Sequence, residues 1–279
     1  MKLQTKASFR KEFLAFSRTY KLLAVTLSII GLAVVNPLLI TGLRLLMEGL
    51  SDVYKGFGMD VSQLTEALGS SVSTGVAQAI MDLTQTGLII FLIVINSNAG
   101  GEQKKRSTMI PSSSGLRSFS YVFPKFIIYP LTAFVIAIVA AFASWGASSM
   151  VFDNNDVSIQ GVLLGGVLAG VCMMFYVCAH LTIGTATGKA GMSAAICIVA
   201  SLLLPSIFNI LDFGVMFNPF TLNILANAAV HDPTMTAARA TVVCVTVIIA
   251  FVLMVALFFL AWFVQNARKI DNSGNEVEI

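Results

Sequence analysis

The segment between Gly100 and Lys125, GGEQKKRSTMIPSSSGLRSFSYVFPK, concentrates charge in a chain that is 57% hydrophobic and only 11% charged. Charged side chains on a polar segment can form ion pairs and charge-assisted hydrogen bonds with another protein. The segment is also longer than a simple turn between two helices needs. We therefore interpret it as a docking surface. The alternative is that its Lys-Lys-Arg run only follows the general bias of basic residues toward the inner side of a membrane.

Three polar side chains further upstream could line a path through the protein. Asp82, Gln85 and Asn96 lie in or at the end of a long apolar stretch. An ionisable residue inside a membrane span is costly and usually functional. The alternative for Asp82 is a position at the membrane surface, where water reaches it. With at most one such acid, the sequence argues weakly against an ion-coupled carrier.

The chain lacks the motifs of a catalytic centre. It has no G-x-x-x-x-G-K-[ST] phosphate loop, no G-x-S-x-G nucleophile turn and no H-E-x-x-H metal pair. Of its two histidines, His180 lies in an apolar stretch, where we interpret it as a hydrogen-bonded packing residue. The cysteines have no metal-ligand spacing, and they are Cys172, Cys178, Cys197 and Cys244. We therefore expect no enzyme activity, no metal and no cofactor in this chain itself.

The uncharged stretches that separate these groups are long enough to cross a membrane. A spanning helix needs about 20 apolar residues, and in lipid its backbone groups must be paired internally. The sequence therefore predicts an all-α integral membrane protein with six transmembrane helices. The predicted boundaries are 1–21 for an amphipathic N-terminal helix, 22–43, 76–98, 122–149, 159–184, 191–212 and 240–265 for the spans, and 266–279 for a disordered tail.

The stretch between spans five and six is apolar yet interrupted twice by proline. Asn218-Pro219 and Asp232-Pro233 break any continuous helix there. The stretch is too apolar for a solvated loop and too interrupted for a span, so it predicts a pair of short re-entrant or interfacial helices.

The distribution of basic residues predicts that both termini and the 100–125 segment are cytoplasmic. In this orientation 14 of the 17 Lys and Arg residues lie inside, and only Arg44, Lys55 and Arg239 lie outside. Basic residues are enriched on the cytoplasmic side of membrane proteins. The net charge of +3 is therefore a topology signal and implies no nucleic-acid partner.

The N-terminal helix carries aromatic residues at helical spacing. Phe9, Phe13, Phe16 and Tyr20 recur at steps of four, three and four, which places them on one face, with basic residues on either side. This pattern predicts a helix that lies along the inner membrane surface. It could be a simple anchor for span one, or it could also contact a cytoplasmic partner.

Span four carries glycines at the spacing of a close-packing face. Gly161, Gly165, Gly166 and Gly170 form two overlapping small-xxx-small pairs. Such a face lets another helix approach closely. The sequence leaves open whether that helix belongs to the same chain or to a second subunit of a dimer.

Taken together, these features resemble the membrane subunits of type-2 ATP-binding-cassette (ABC) permeases. That family has six spans, cytoplasmic termini, an interfacial N-terminal helix and a cytoplasmic coupling elbow between spans two and three. Its elbow commonly has an acid, then Gly-Thr, a short apolar stretch, a proline with small polar residues, and a lysine at the start of span three. Here Glu102 matches the acid, Ser107-Thr108 stands where Gly-Thr is usual, Pro111 follows, and Lys125 matches the lysine. The outer Asn218-Pro219 is similar to the "NP" pair often found between spans five and six.

The resemblance implies an exporter permease for a hydrophobic or amphipathic substrate, such as a lipid-like drug or peptide. Two separate ATPase subunits, which bind ATP and Mg, would dock beneath this permease and a second, identical or homologous one, in a bacterial cytoplasmic membrane. The assembled complex would be an ATP-driven translocase. The residues expected to contact the ATPase are Glu102, Lys104, Lys105, Arg106, Ser107, Thr108, Arg117 and Lys125. The alternatives are a non-transporting scaffold that recruits a cytoplasmic protein and an ion-coupled secondary transporter.

Overall fold

The structure, a computed structural model, describes residues 2–51, 71–101, 117–210, 217–231 and 237–274. The fold of these residues is helical. The main helices are α1 Lys2–Arg18, α2 Lys21–Gly49, α3 Val72–Ala99, α4 Ser118–Val151, α5 Ile159–Thr187, α6 Ala190–Ile210, α7 Leu222–His231 and α8 Ala237–Gly274.

The six predicted spans are confirmed as the long helices α2 to α6 and α8. Each is long and apolar enough to cross a membrane. Helix α2 runs six residues beyond its predicted end at 43, to Gly49, and α4 runs two residues beyond its predicted end at 149, to Val151. The described residues therefore indicate a multi-pass membrane protein of the all-α class.

Helix α3 changes its winding twice along its length. The segments Leu83–Gly87 and Ser97–Gly101 are π-helical, and α-helix occupies Val72–Asp82 and Leu88–Asn96. A π turn widens the helix by one residue and is frequent at functional sites. We call Ser97–Gly101 the exit turn, because it is the last described part of the chain before residue 102.

Helix α5 is the most buried of the six spans, and its glycines explain why. A methyl group on Gly161 or Gly165 would lie 3.1 Å from a backbone carbonyl oxygen of α7. A methyl group on Gly166 would lie 3.0 Å from the Ala141 side chain, and one on Gly170 2.7 Å from the Phe134 ring, both on α4. The predicted packing face is therefore used within the chain, by α4 and α7.

The short helix α7 begins at the Asn-Pro pair. The Asn218 side chain accepts a hydrogen bond from the Phe220 N–H (3.0 Å), and Pro219 opens a 3-10 turn that leads into the helix. Asparagine caps helix starts in this way, and proline is tolerated in the first turn. This confirms one short helix of the predicted pair; residues 211–216 and 232–236 lie outside the described part of the chain.

The loop between α4 and α5 caps the start of α3. The Asp156 carboxylate accepts hydrogen bonds from the Ser73 N–H (2.9 Å) and the Ser73 hydroxyl (2.6 Å). The Asn154 carbonyl accepts another from the Val72 N–H (3.1 Å). Partial burial acts to raise the pKa of Asp156, but the bonds from Ser73 outweigh it and hold that pKa below its ordinary value. An acid beside a helix N-terminus also interacts favourably with the helix dipole.

We expect Asp156→Ala to lower the melting temperature at pH 7 and to lose this effect in acid. A carboxyl with a depressed folded pKa stabilises the protein above its unfolded pKa of about 3.9, and the contribution disappears as pH falls through the folded value. The cost should stay below the roughly 1 kcal/mol typical of a lost helix cap, because the carboxylate is exposed. Melting curves in detergent from pH 7 to pH 3 measure it. Asp153→Ala, in the same loop, is the control, and equal effects of the two variants would contradict the capping role.

The C-terminal tail differs from its prediction. Helix α8 continues to Gly274, although the sequence predicts disorder from residue 266. Between Gln265 and Asp271 the chain has no glycine or proline, and a helix that is already formed extends through such residues at little cost.

Candidate functional site at the terminal end of the bundle

Four parts of the chain meet at one end of the bundle, which we call the terminal end. Helix α1 lies against the start of α4, where the Thr5 and Ser120 hydroxyls are 3.1 Å apart. The exit turn approaches α4 in the same region, and the Ser118 hydroxyl hydrogen-bonds to the Asn266 side chain of α8 (3.4 Å). This end therefore brings together both flanks of residues 102–116.

A closed ring of polar side chains, which we call the terminal cluster, lies at the centre of this end. Its members are Glu12, Asn98, Lys125 and Tyr129. The Tyr129 hydroxyl donates to Glu12 Oε2 (2.9 Å), and Asn98 Nδ2 donates to the Tyr129 oxygen (2.6 Å). Lys125 Nζ donates to the Asn98 carbonyl (2.8 Å) and lies 3.9 Å from Glu12 Oε1.

All four residues of the terminal cluster are buried, with relative exposures from 0% to 6%. Burying a charge is costly unless an opposite charge and hydrogen bonds accompany it. Here the two charges face each other, and the Tyr121 hydroxyl also accepts from Lys125 Nζ (3.0 Å). The cluster therefore joins α1, the exit turn and α4 in one defined geometry.

The exit turn is also held from two further sides. Lys21 Nζ, at the start of α2, donates to the Ser97 hydroxyl (2.6 Å) and to Asn98 Oδ1 (2.9 Å). On the opposite side, Gly184 of α5 lets the helix approach so closely that an added methyl group would lie 2.8 Å from the Ala99 carbonyl oxygen. The chain thus reaches residue 102 from a turn fixed by α2, α4 and α5.

Aromatic contacts fix the other flank. The Phe119 ring contacts Phe258 and Trp262 of α8, with ring centroids 5.9 Å and 6.4 Å apart. The Phe123 ring contacts Phe9 of α1 (5.9 Å) and Phe258 (6.0 Å). Edge-to-face pairs of this kind each add about 0.5–1.5 kcal/mol beyond area burial.

No protein-family model, curated protein or solved structure matches this chain. The interpretation of the site therefore rests on its own geometry. Two anchored flanks with a charged segment between them can hold a docking surface rigidly against the bundle. The terminal cluster itself carries charge but is enclosed, so it suits positioning rather than direct contact with a partner.

The predicted docking residues divide into three groups in the structure. Glu102, Lys104, Lys105, Arg106, Ser107 and Thr108 lie outside the described residues. Arg117 is exposed immediately before α4. Lys125 is buried in the terminal cluster, 5% exposed, so the expectation that it contacts an ATPase needs correction. Lys125 lies about two turns inside α4, where the Glu12 carboxylate, the Asn98 carbonyl and the Tyr121 hydroxyl together offset the cost of burying its charge.

The aromatic face predicted for the N-terminal helix is split. Phe16 is buried, with its ring 5.2 Å from that of Tyr129, and Phe9 is half-buried. Phe13 and Tyr20 are exposed, at 56% and 76%. The face that packs on α4 runs through Phe9, Glu12 and Phe16, whereas Tyr20 lies beyond the helix end with a left-handed φ of 56°. Phe13 and Tyr20 are therefore the members of the predicted face that do not pack against the bundle.

The three predicted path residues are not brought together. Asp82 is half-buried and accepts hydrogen bonds from Asn36 of α2 (2.6 Å) and from Gln78 (3.2 Å). Gln85 lines a cleft between α3, α6 and α7. Asn96 Oδ1 is buried and has no hydrogen-bond partner among the described residues. The structure therefore assigns Asp82 to a contact with α2 and only Gln85 to an open space.

The histidine within a span has the packing role that the sequence predicts. The Ser193 hydroxyl donates to the His180 carbonyl (2.6 Å) and lies 2.7 Å from its Nδ1. Because that hydroxyl has a single proton, Nδ1 must be the donor in the second bond, which leaves Nε2 as an acceptor. Nε2 is buried and has no partner in the described part of the chain.

Sequence reasoning missed most of the terminal cluster. Glu12 carried one signal, because it lies on the same helical face as Phe9 and Phe16, where a solvated acid is not expected. Asn98 and Tyr129 carried no signal in the sequence. Their role depends on contacts between helices that are far apart in the chain.

Proposed function

We propose that this chain is the permease subunit of an ABC exporter that moves a hydrophobic or amphipathic substrate. ATP hydrolysis would take place in separate ATPase subunits that dock on residues 102–117. A second permease, identical or homologous, would complete the path across a bacterial cytoplasmic membrane.

The observation that carries this proposal is the fixation of both flanks of the docking segment. An element that transmits force must be rigid relative to the helices that it moves. The terminal cluster ties the exit turn to α1 and α4 through buried charges, and Phe119 and Phe123 tie the other flank to α8. A push on residues 102–117 would therefore be passed to four helices at once.

The two other candidate functions make different demands on the same features. A scaffold needs the docking surface but no path through the membrane. An ion-coupled carrier needs an ionisable group that alternates between two environments, and Asp82 is instead engaged by two amides. We favour the permease because it uses both the anchored segment and the cleft between α3, α6 and α7 that Gln85 lines.

The proposal predicts that a soluble ATPase co-purifies with the tagged protein in mild detergent. Changing Glu102, Lys104, Lys105 and Arg106 together to alanine should reduce the retained ATPase at least tenfold. Several charge-assisted contacts are lost together, and each contributes about 1.5–3 kcal/mol when well formed. The measurements are the amount of bound ATPase and the rate of ATP hydrolysis in the eluate.

A second variant controls for the loss of positive charge. Lys6→Ala with Arg10→Ala removes the same net charge from exposed positions of α1 and should leave ATPase binding within about twofold, as for exposed charges in general. Equal loss in both variants would mean that charge alone matters. The absence of any ATPase from the wild-type eluate would reject the permease and favour a scaffold or a carrier.

A further inference from the structure

A cleft of about 320 Å³ opens between α3, α6 and α7. Its polar lining consists almost entirely of uncharged amides, from Gln85, Asn209, Asn223 and Asn227, with the Ser206 hydroxyl beside them. Its remaining wall is apolar and includes Met81. Cavities that bind small molecules have this size range and this mixture of apolar walls with a few placed polar groups.

The amides have hydrogen-bonding capacity to spare. Asn223 is only 3% exposed; its Oδ1 accepts from the Ile224 N–H (2.9 Å), and its Nδ2 has no partner among the described residues. Asn227 donates through Nδ2 to the Ala77 carbonyl (3.2 Å), which leaves Oδ1 as an acceptor. The Gln85 side chain makes no hydrogen bond to the described residues, although its backbone carbonyl accepts from the Leu88 N–H. Because an unpaired amide in an apolar setting is costly, the cleft is suited to a guest that pairs with these groups.

The lining also determines which charge the guest can carry. None of the lining residues in the described part of the chain is ionisable. Asp82 is the neighbour of Met81, but its carboxylate is bound to Asn36 and Gln78. A charged group in the cleft would therefore lose its hydration without gaining a counter-charge.

From this geometry we infer that the amide cleft binds the uncharged carboxamide or peptide groups of an amphipathic molecule. The carbonyl of a guest amide can accept from Asn223 Nδ2, and its N–H can donate to Asn227 Oδ1. The Gln85 side chain can act as either donor or acceptor. The apolar wall takes the adjoining hydrocarbon. The inference rests on the proposed function only in naming this guest as the exported substrate; the binding itself requires no ATPase.

Binding can be measured on the full chain in phosphatidylcholine nanodiscs. The probe is tritiated N-dodecanoyl-alanyl-alanine amide, with empty nanodiscs as background. Unlabelled competitors share its acyl chain and differ in the head group: N-dodecanoyl-alanyl-alanine carries a carboxylate, and 1-dodecanoylglycerol carries hydroxyls. We expect the neutral amide to compete at least tenfold better than either.

Two variants test the assigned residues. Gln85→Leu and Asn223→Leu should each weaken binding about threefold to tenfold, the range that corresponds to one neutral hydrogen bond. Gln160→Leu, at an exposed position outside the cleft, should change it less than twofold. Because Asn223 is buried, its replacement can affect folding as well as binding. Gln85→Glu therefore provides a test that does not depend on loss of binding. It should give a new preference for dodecylamine, which a change in folding alone would not produce.

Three outcomes would overturn the inference. They are equal competition by the glycerol ester, tighter binding of the carboxylate, and equal binding by wild type and both leucine variants. Amide binding without any co-purified ATPase would support the inference about the cleft and contradict the proposed permease function. A co-purified ATPase without amide binding would do the reverse.

Discussion

Replacement of Lys125 with methionine is expected to cost about 3–5 kcal/mol of stability, the range measured when one partner of a buried ion pair is removed. The variant leaves the Glu12 carboxylate 2% exposed and without the Lys125 charge. Lys11 lies 3.8 Å from Glu12, but its side chain is 55% exposed. Water screens that pair, and exposed pairs contribute about 0–1 kcal/mol. The melting temperature in detergent, followed by size-exclusion chromatography, measures the loss.

Two further variants separate the effect of burial on stability from the effect of charge. Arg117→Met removes an exposed cation eight residues earlier and should change stability by less than about 0.5 kcal/mol. Adding Glu12→Gln to Lys125→Met should recover part of the loss, because glutamine still accepts from the Tyr129 hydroxyl without a buried charge. If Lys125→Met and Arg117→Met melt alike, the terminal cluster does not stabilise this end of the bundle.

The second large effect is expected at Gly184. In Gly184→Ala the new methyl group would lie 2.8 Å from the Ala99 carbonyl oxygen and 2.9 Å from its carbonyl carbon. Backbone atoms cannot rotate away as a flexible side chain can, so α5 and the exit turn must move apart. Overpacking of this kind typically costs about 1–3 kcal/mol. Melting of the variant measures the cost.

The same substitution elsewhere should have the opposite sign. Gly31 lies in α2 with nothing within 4 Å of an added methyl group. Alanine is favoured over glycine in helix interiors by about 1 kcal/mol, so Gly31→Ala should be neutral or stabilising. Destabilisation of equal size at both positions would show that the close contact between Gly184 and Ala99 is not responsible.

The helices were predictable because hydropathy and length are local properties of the chain. Each span is a continuous apolar run, and lipid leaves its backbone no alternative to a helix. The continuation of α8 beyond residue 265 was not predicted. The absence of an apolar pattern there was interpreted as disorder, although residues 266–271 contain no helix breaker. Helix existence followed from hydrophobicity, whereas the extension of α8 past residue 265 followed from the absence of glycine and proline in that stretch.

The candidate sites were predictable only in part, because their members meet through tertiary contacts. Gln85 could be selected as a polar residue in a span, but nothing local associates it with Asn223 and Asn227 on α7. Lys125 was selected as the match to the lysine of the resembled elbow, yet its partner Glu12 is far away in the sequence, and its burial argues against the expected contact with an ATPase. The glycines of α5 indicated close packing without indicating the partner, which is α4 and α7 of the same chain.

The terminal cluster also sets an order of events during synthesis. Tyr129 follows Glu12 by 117 residues, so at a translation rate of about 5–20 residues per second it emerges roughly 6–23 s later. Until α4 has entered the membrane, Glu12 has neither its hydroxyl donor nor its buried lysine, and α1 cannot be fastened. The terminal end therefore closes only after three of the six spans are in place. A nascent chain stalled before residue 125 would carry an N-terminal helix without its contacts to Lys125 and Tyr129.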